Sequence, residues 1–332
     1  MSEVVEILQP LFQEKILKAN LLITGYDNTN HVYSVTTEKN VVIFKVLKDL
    51  DADKSTVFWK GLNLLFGATF EDSIKSQKNI SEYLNHLNVI PVPKLLKADY
   101  TSDNPLHKPY VILERMEGES LVKGSELEQN FMQDADVAYK LGEFLTKIHA
   151  DKYDFFGNMA KTRYPLSDFP KHLFNTMKTL ASTPKASQDK LVQEMLPFFL
   201  RQAENLKPPT AMGMIMLDLW PSQFLSSNGN ISALIDIESY VIGPIELELV
   251  LLELWLTRLD KFKEAYLESG VLWPDFEETR ELYRFFLFLL YDCPEAGLKA
   301  CLDSAAKFAQ GDRVKGRVAI PHPRPGGYPG IY

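Results

Sequence analysis

Two aspartates in this chain sit where an ionised side chain is hardest to accommodate. Asp218 lies in the run Met216-Leu217-Asp218-Leu219-Trp220, and Asp236 stands between Ile235 and Ile237. A carboxylate with apolar neighbours costs several kcal/mol to bury unless something pairs with it. Between the two acids, Ser226-Ser227-Asn228-Gly229-Asn230 carries the Asn-Gly pair that signals a tight hairpin, because both residues tolerate positive φ. A turn centred on Asn228-Gly229 sets Asp236 opposite Pro221, and a turn centred one residue later sets it opposite Gln223. In either register the Asp236 carboxylate falls near the Gln223 side chain, with Asp218 on the loop just before. A metal ion, a metal-bearing phosphate ligand or a reacting hydroxyl would be a partner for such acids, which makes this segment the first place to look for chemistry. A solvated surface hairpin is the plain alternative, and Leu217, Leu219, Ile235 and Ile237 argue against it.

A chain of 332 residues has room for two lobes, each with a core. The net charge of −8 and the lack of a basic face argue against a nucleic-acid partner. Cys293 and Cys301 fit neither a zinc knuckle nor a redox pair, as expected of a reduced, cytoplasmic protein. The acidic start, residues 1–6, has no signal-peptide core. The apolar stretches 245–256 and 285–291 are too short or too interrupted by Glu to span a bilayer, so no membrane partner is expected.

Along the chain, the pattern predicts a helix over residues 4–19, then strands over 21–24, 31–37 and 41–47 separated by polar turns at 25–30 and 38–40. Lys45 is the odd member of the third strand, and either reaches the rim by its aliphatic stem or meets an anion. Residues 51–75 have no simple period, although 58–67 reads as a short amphipathic helix. Residues 76–87 are helical in pattern, 89–96 are extended by their prolines, and 110–114 form a buried-type strand. From Asp134 onward the period is helical apart from the hairpin, with long helices over 134–150, 188–205, 245–268 and 276–292. The reading is an α+β chain: a β-rich N-terminal lobe over 1–115, a helical lobe over 116–310, and an extended tail over 311–332 rich in Pro, Gly and basic residues.

Several pieces in this order resemble the aminoglycoside phosphotransferase and choline kinase-like branch of the protein-kinase-like fold. Gly25-Tyr26-Asp27-Asn28-Thr29-Asn30-His31-Val32-Tyr33 is similar to its phosphate-covering loop, with Lys45 as its strand lysine. Val92-Pro93 matches the step before the next strands, and Val111 through Leu121 matches the segment joining the lobes. Leu145-Thr146-Lys147-Ile148-His149 followed by Phe156-Gly157 matches another, in which His149 reads as structural. The resemblance implies a bilobal protein-kinase-like fold and an ATP-dependent (or GTP-dependent) phosphotransferase acting on a small-molecule hydroxyl. It implies that Gly25, Asn30 and Lys45 hold the phosphates and that the backbone at Glu114 and Met116 holds adenine. Asp218 becomes the base, with Asp236 and Gln223 holding Mg²⁺.

The chain departs from that pattern where a histidine and an asparagine are usual, writing Met216 and Gln223 instead. The position expected to pair with Lys45 carries Gln77, with Glu71 a poorer candidate. Glu248 stands where the family's second downstream aspartate usually does. These changes imply an alternative function, a catalytically impaired pseudokinase that binds nucleotide as sensor or scaffold. Glu238, Glu246 and Glu248 read mainly as solvated or helix-capping residues, and otherwise as the wall of a site for a cationic acceptor.

Overall fold

In the computed structural model, which describes residues 3–22, 29–48, 56–101, 103–209 and 212–304, a β-rich N-terminal part leads into a helical C-terminal part. The first part is a five-stranded antiparallel sheet in the order β1-β2-β3-β5-β4, formed by β1 (Ile16–Leu21), β2 (Asn30–Thr37), β3 (Val41–Leu47), β4 (Leu95–Asp99) and β5 (Tyr110–Glu114). Period-two alternation divides its faces. Val42, Phe44, Tyr110 and Ile112 pack outward under Val5, Leu8 and Leu11 of the N-terminal segment. Ile43, Lys45, Val111 and Leu113 have the opposite parity, and the first, second and last of these face the cleft below. The place of Lys45 is thus set by strand parity.

The expected helix over 4–19 is shorter. It runs Glu3–Leu8 with a 3-10 turn Gln9–Leu11, and the chain then enters β1. The Gln9 side chain reverses the backbone, donating to the Glu14 carbonyl (2.9 Å) and accepting from the Ile16 N–H (2.8 Å). The helix begun at 76 in the sequence reading starts earlier, running Phe70–Leu87 with Thr69 capping its first turn through the Asp72 N–H. A separate helix, Val57–Phe66, precedes it, and its Phe58 ring stacks on Tyr291 of the helical part (6.0 Å between centroids).

The helical part contains a sheet that the helical period hid. Four strands run in the order β8-β7-β12-β9, with β7 at Phe155–Asn158, β8 at Arg163–Pro165, β9 at Gly213–Met216 and β12 at Tyr240–Gly243. Every residue of β9 and β12 is buried, so neither strand shows alternation. The span 245–268, expected as one helix, is two, Ile245–Leu252 and Leu259–Glu268. At the break, the Trp255 indole N–H donates to the Leu219 carbonyl (2.8 Å) and the Thr257 N–H and hydroxyl both donate to the Met132 carbonyl (3.2 and 2.8 Å). The helices Phe169–Leu180 and Lys190–Glu204 complete this layer. The tail over 311–332 lies outside the described residues.

One glycine of this part is held by both its backbone angle and its neighbours. Gly157 has φ +149°, and a Cβ there would lie 1.9 Å from the Thr162 carbonyl oxygen. Gly157→Ala is expected to lower stability by about 1–3 kcal/mol or more, because a forbidden backbone region and a backbone clash coincide. Thermal unfolding of the variant checks this.

Candidate active site

The hairpin is formed by β10 (Phe224–Ser227) and β11 (Asn230–Leu234), and its turn is centred on Asn228-Gly229, with φ +52° and +81°. The register nevertheless matches neither expectation. Ser227 pairs Asn230 and Ser226 pairs Ile231, but Leu225 pairs Ala233, which leaves Ser232 as an extra residue in a β-bulge. The shift is one residue, and its extension beyond Phe224–Leu234 sets Asp236 opposite Ser222. The Ile235 N–H donates to the Gln223 carbonyl (2.8 Å), so Gln223 and Asp236 are still brought together. The bulged Ser232 hydroxyl donates to the Glu117 carbonyl (2.8 Å), and β6 (Glu119–Ser120) pairs with β10. The segment joining the two parts is thereby stitched to the hairpin.

The two aspartate segments are tied a second time by β9 and β12, where Met216 pairs with Tyr240. Asp218 emerges just past β9 and Asp236 just before β12. Below them, Glu248 is fully buried and not a solvated cap, which corrects the sequence reading. One of its oxygens accepts the Met216 N–H (2.6 Å) and the other meets His149 Nε2 (2.7 Å), while His149 Nδ1 meets the Tyr266 hydroxyl (2.9 Å). Tyr291 donates its hydroxyl to the Leu217 carbonyl. The Met216 side chain, buried in the core, makes no such bond, yet the loop that carries Asp218 is held through its own backbone at residues 216, 217 and 219. Glu248→Gln keeps the shape but removes one acceptor. The variant is expected to lose about 1–3 kcal/mol of stability, measured by denaturant titration, because a buried donor loses its partner.

Among the predicted site residues, Asn30, Lys45, Glu114, Met116, Asp218, Gln223 and Asp236 all line one cavity of about 750 Å³ between the two parts. Gly25 lies outside the described residues. The Gln223 side-chain amide donates to Asp218 Oδ2 (2.8 Å). The Glu114 N–H is engaged by the Lys94 carbonyl (2.9 Å), whereas no acceptor among the described residues takes the Met116 N–H. A backbone donor in a cavity wall must be met by solvent or a ligand. Of the two backbone N–H groups, that of Glu114 is already taken.

Lys45 is the main departure from expectation. Its ammonium lies 2.8 Å from Asp236 Oδ1 and 2.9 Å from Glu238 Oε1. Glu238 is 5% exposed, so it too is neither solvated nor a helix cap. Gln77 is buried with its Oε1 lacking a hydrogen bond, and Glu71 is exposed and paired with Lys75. Burial, the largest single influence, pushes the Asp236 carboxyl up, but the Lys45 charge together with the hydrogen bonds to Glu238 and Lys45 holds the group below the usual carboxylate range. Burial, and then the charge of Asp236, push Glu238 well above that range. The Glu238 role was missed because its sequence neighbourhood, Ile237-Glu238-Ser239, reads as an ordinary turn; its two-residue offset from Asp236 was the available signal.

A five-stranded sheet over a helical part, with a strand lysine facing two loop aspartates across a cleft, defines a protein-kinase-like phosphotransferase architecture. The chain belongs to the phosphotransferase enzyme family, whose model matches residues 24–282, and is thereby a small-molecule phosphotransferase. A search of curated proteins found no significant match. Among solved structures, the macrolide 2'-phosphotransferase MphH from Brachybacterium faecium superposes with a TM-score of 0.56 at 12% identity, covering 94% of this chain and 100% of that one. A thermostable mutant of the aminoglycoside phosphotransferase APH(4)-Ia, in ternary complex with AMP-PNP and hygromycin B, gives 0.57 at 15% identity over 92% and 95%. The GDP and kanamycin complex of APH(2")-IIia gives 0.56 at 14% identity over 87% and 89%. At these identities the likeness establishes the fold. Among the described residues, no helix is long and apolar enough to cross a membrane.

Proposed function

We propose that this chain transfers the terminal phosphoryl group of ATP or GTP to a hydroxyl of a small molecule. The observation that carries the reading is the convergence of Lys45, Asp218, Gln223 and Asp236 on one cavity that the segment at Glu114 and Met116 also lines. Adenine or guanine sits at Met116 and Glu114, and Asn30 and Lys45 face the phosphates. Asp218 orients the acceptor hydroxyl and accepts its proton as the oxygen bonds to phosphorus and the bond to the nucleoside diphosphate breaks. Gln223, whose amide nitrogen is engaged by Asp218, offers an amide oxygen, and Asp236 offers an ionised carboxylate. These hard oxygen donors suit Mg²⁺, which when bound neutralises charge on the transferring group. The nucleotide is thus held between a lobe of residues 1–115 and a lobe of residues 116–310.

The acceptor is not assigned a cationic character by the three glutamates. Glu238 is engaged by Lys45 and Glu248 by the loop beneath Asp218, and Glu246 does not line the cavity. The impaired alternative, a nucleotide-binding sensor, draws on the extra methylene of Gln223, since Mg²⁺ demands close octahedral geometry. The backbone brace from Glu248 weakens the case from Met216.

Purified protein with ATP or GTP and Mg²⁺ or Mn²⁺, offered a panel of sugars, amino-alcohols and antibiotics, is expected to release nucleoside diphosphate in proportion to one acceptor. Nucleotide binding with no turnover would favour the sensor, and no binding at all would remove both readings. Gln223→Asn is expected to preserve or raise Mg²⁺-dependent activity. An unchanged metal dependence in that variant would count against Gln223 as a ligand.

A further inference from the structure

The helix Phe70–Leu87 packs beside Lys45, yet none of the carboxylates near its start is directed there. Glu71 is exposed and lies 2.5 Å from Lys75, while Asp72 is buried and pairs with Lys161 at 3.1 Å and Asn158 at 3.4 Å. The residues of this helix that share a small cavity with Lys45 and Glu238 are Phe70 and Ile74. One turn on, Gln77 is 1% exposed and its Oε1 has no hydrogen bond. Two acids from the other part of the molecule pair with Lys45 instead. In Asp236-Ile237-Glu238, Ile237 is buried in the core and the two acids on either side of it both reach the ammonium.

The two acids differ in their surroundings. The Asp236 side chain is 34% exposed toward the cavity, whereas that of Glu238 is 6% exposed and its second oxygen is buried without a hydrogen bond. On the nucleotide reading, Asp236 is shared between the lysine and a cation in the open cleft, so it is the less constant of the two partners.

We propose that Glu238 is the positioning residue for Lys45, doing from the loop after β11 what a helix carboxylate would do from above. Lys45 is then registered directly to the segment that carries Asp236. Displacement of the helix Phe70–Leu87 then leaves the lysine in place, because Glu71 and Asp72 pair with Lys75 and Lys161 and not with Lys45. The inference rests on the nucleotide reading of the cavity, and its test separates the two.

Affinity for AMP-PNP with Mg²⁺ is measured by equilibrium titration for the wild type, Lys45→Met, Glu238→Gln and the double variant Glu238→Gln with Ile74→Glu. Glu238→Gln is nearly isosteric, and thermal unfolding reports whether it folds. The expected result is an affinity about 10-fold or more weaker in Glu238→Gln, the scale of a hydrogen bond to a charged group, approaching that of Lys45→Met. Partial recovery is expected when Ile74→Glu supplies a carboxylate from the helix face that shares the small cavity. A folded Glu238→Gln that binds as the wild type, beside a weakened Lys45→Met, overturns the role of Glu238 alone. A wild type that binds no nucleotide overturns the parent reading and this one together.

Discussion

Replacing Asp218 with asparagine is expected to lower kcat by about 10²–10⁴-fold, the range for removing a positioned general base. Asparagine has the same shape and can still accept one hydrogen bond, but it cannot take a proton. The side-chain carbonyl oxygen of the asparagine can still accept from the Gln223 amide nitrogen, now 2.8 Å from Asp218 Oδ2, so the loop keeps its geometry. Nucleotide affinity should therefore change little, since the residues proposed to hold the nucleotide lie on β2, β3 and the joining segment. Steady-state kinetics paired with AMP-PNP titration checks both halves. A variant with full kcat would remove Asp218 from the chemistry. A variant that also loses nucleotide binding would show the loop to have collapsed.

The largest stability effect is expected far from the cavity. Glu253 is 1% exposed and receives Arg280 Nε through both oxygens (3.2 and 3.0 Å) and Arg284 through a terminal nitrogen (2.8 Å). Arg284 also donates to the carbonyls of Leu302 (3.1 Å) and Ser304 (2.8 Å), which fastens the helix Gly297–Leu302 to the core. Glu253→Ala removes the buried carboxylate from Arg284 and leaves Arg280 only the exposed Glu277, and about 3–5 kcal/mol is the usual consequence of breaking such a buried cluster on one side. In thermal unfolding this corresponds to a fall in Tm of about 10 °C. Replacing all three residues by apolar ones of similar volume is expected to recover most of the loss, because the ions then need no solvation. If Glu253→Ala unfolds within a degree or two of the wild type, the cluster contributes nothing of consequence.

The features of the fold that the sequence displayed openly were those carried by local composition. β-branched and aromatic residues over 41–47 and a short apolar run over 110–114 predicted β3 and β5, whereas Lys45 was left between the rim and an anion until the sheet placed it on the cleft face with Ile43. The Asn228-Gly229 turn was legible because its backbone demands positive φ at both positions. Its register was not, since the extra residue Ser232 is chosen by a hydrogen bond to Glu117, more than a hundred residues earlier in the chain. The strands β9 and β12 escaped notice because they are four residues long and buried on every side, so they carry no period.

The site divides in the same way. The two aspartates announced themselves as acids in apolar context. Glu238 and Glu248 did not, because Glu238 runs into Ser239 and Glu248 falls in the first turn of a helix, where an acid is ordinary. Their burial arises only when β9, β12 and the helix Ile245–Leu252 pack together, and the partners that justify it, Lys45, His149 and the Met216 N–H, are distant in sequence. The missing histidine at 216 looked like a fault in the loop for the same reason. Its work as a brace is done through the backbone, which side-chain identities do not reveal.

The central claim is that this cavity carries out phosphoryl transfer. Its most direct test incubates the protein with ATP or GTP, Mg²⁺ and a mixture of small hydroxyl compounds, and compares the products by mass spectrometry with those from Asp218→Asn. The account predicts one compound that gains the mass of a phosphoryl group with the wild type and not with the variant. A wild-type protein that binds nucleotide but phosphorylates nothing, and matches the variant in every product, would contradict it.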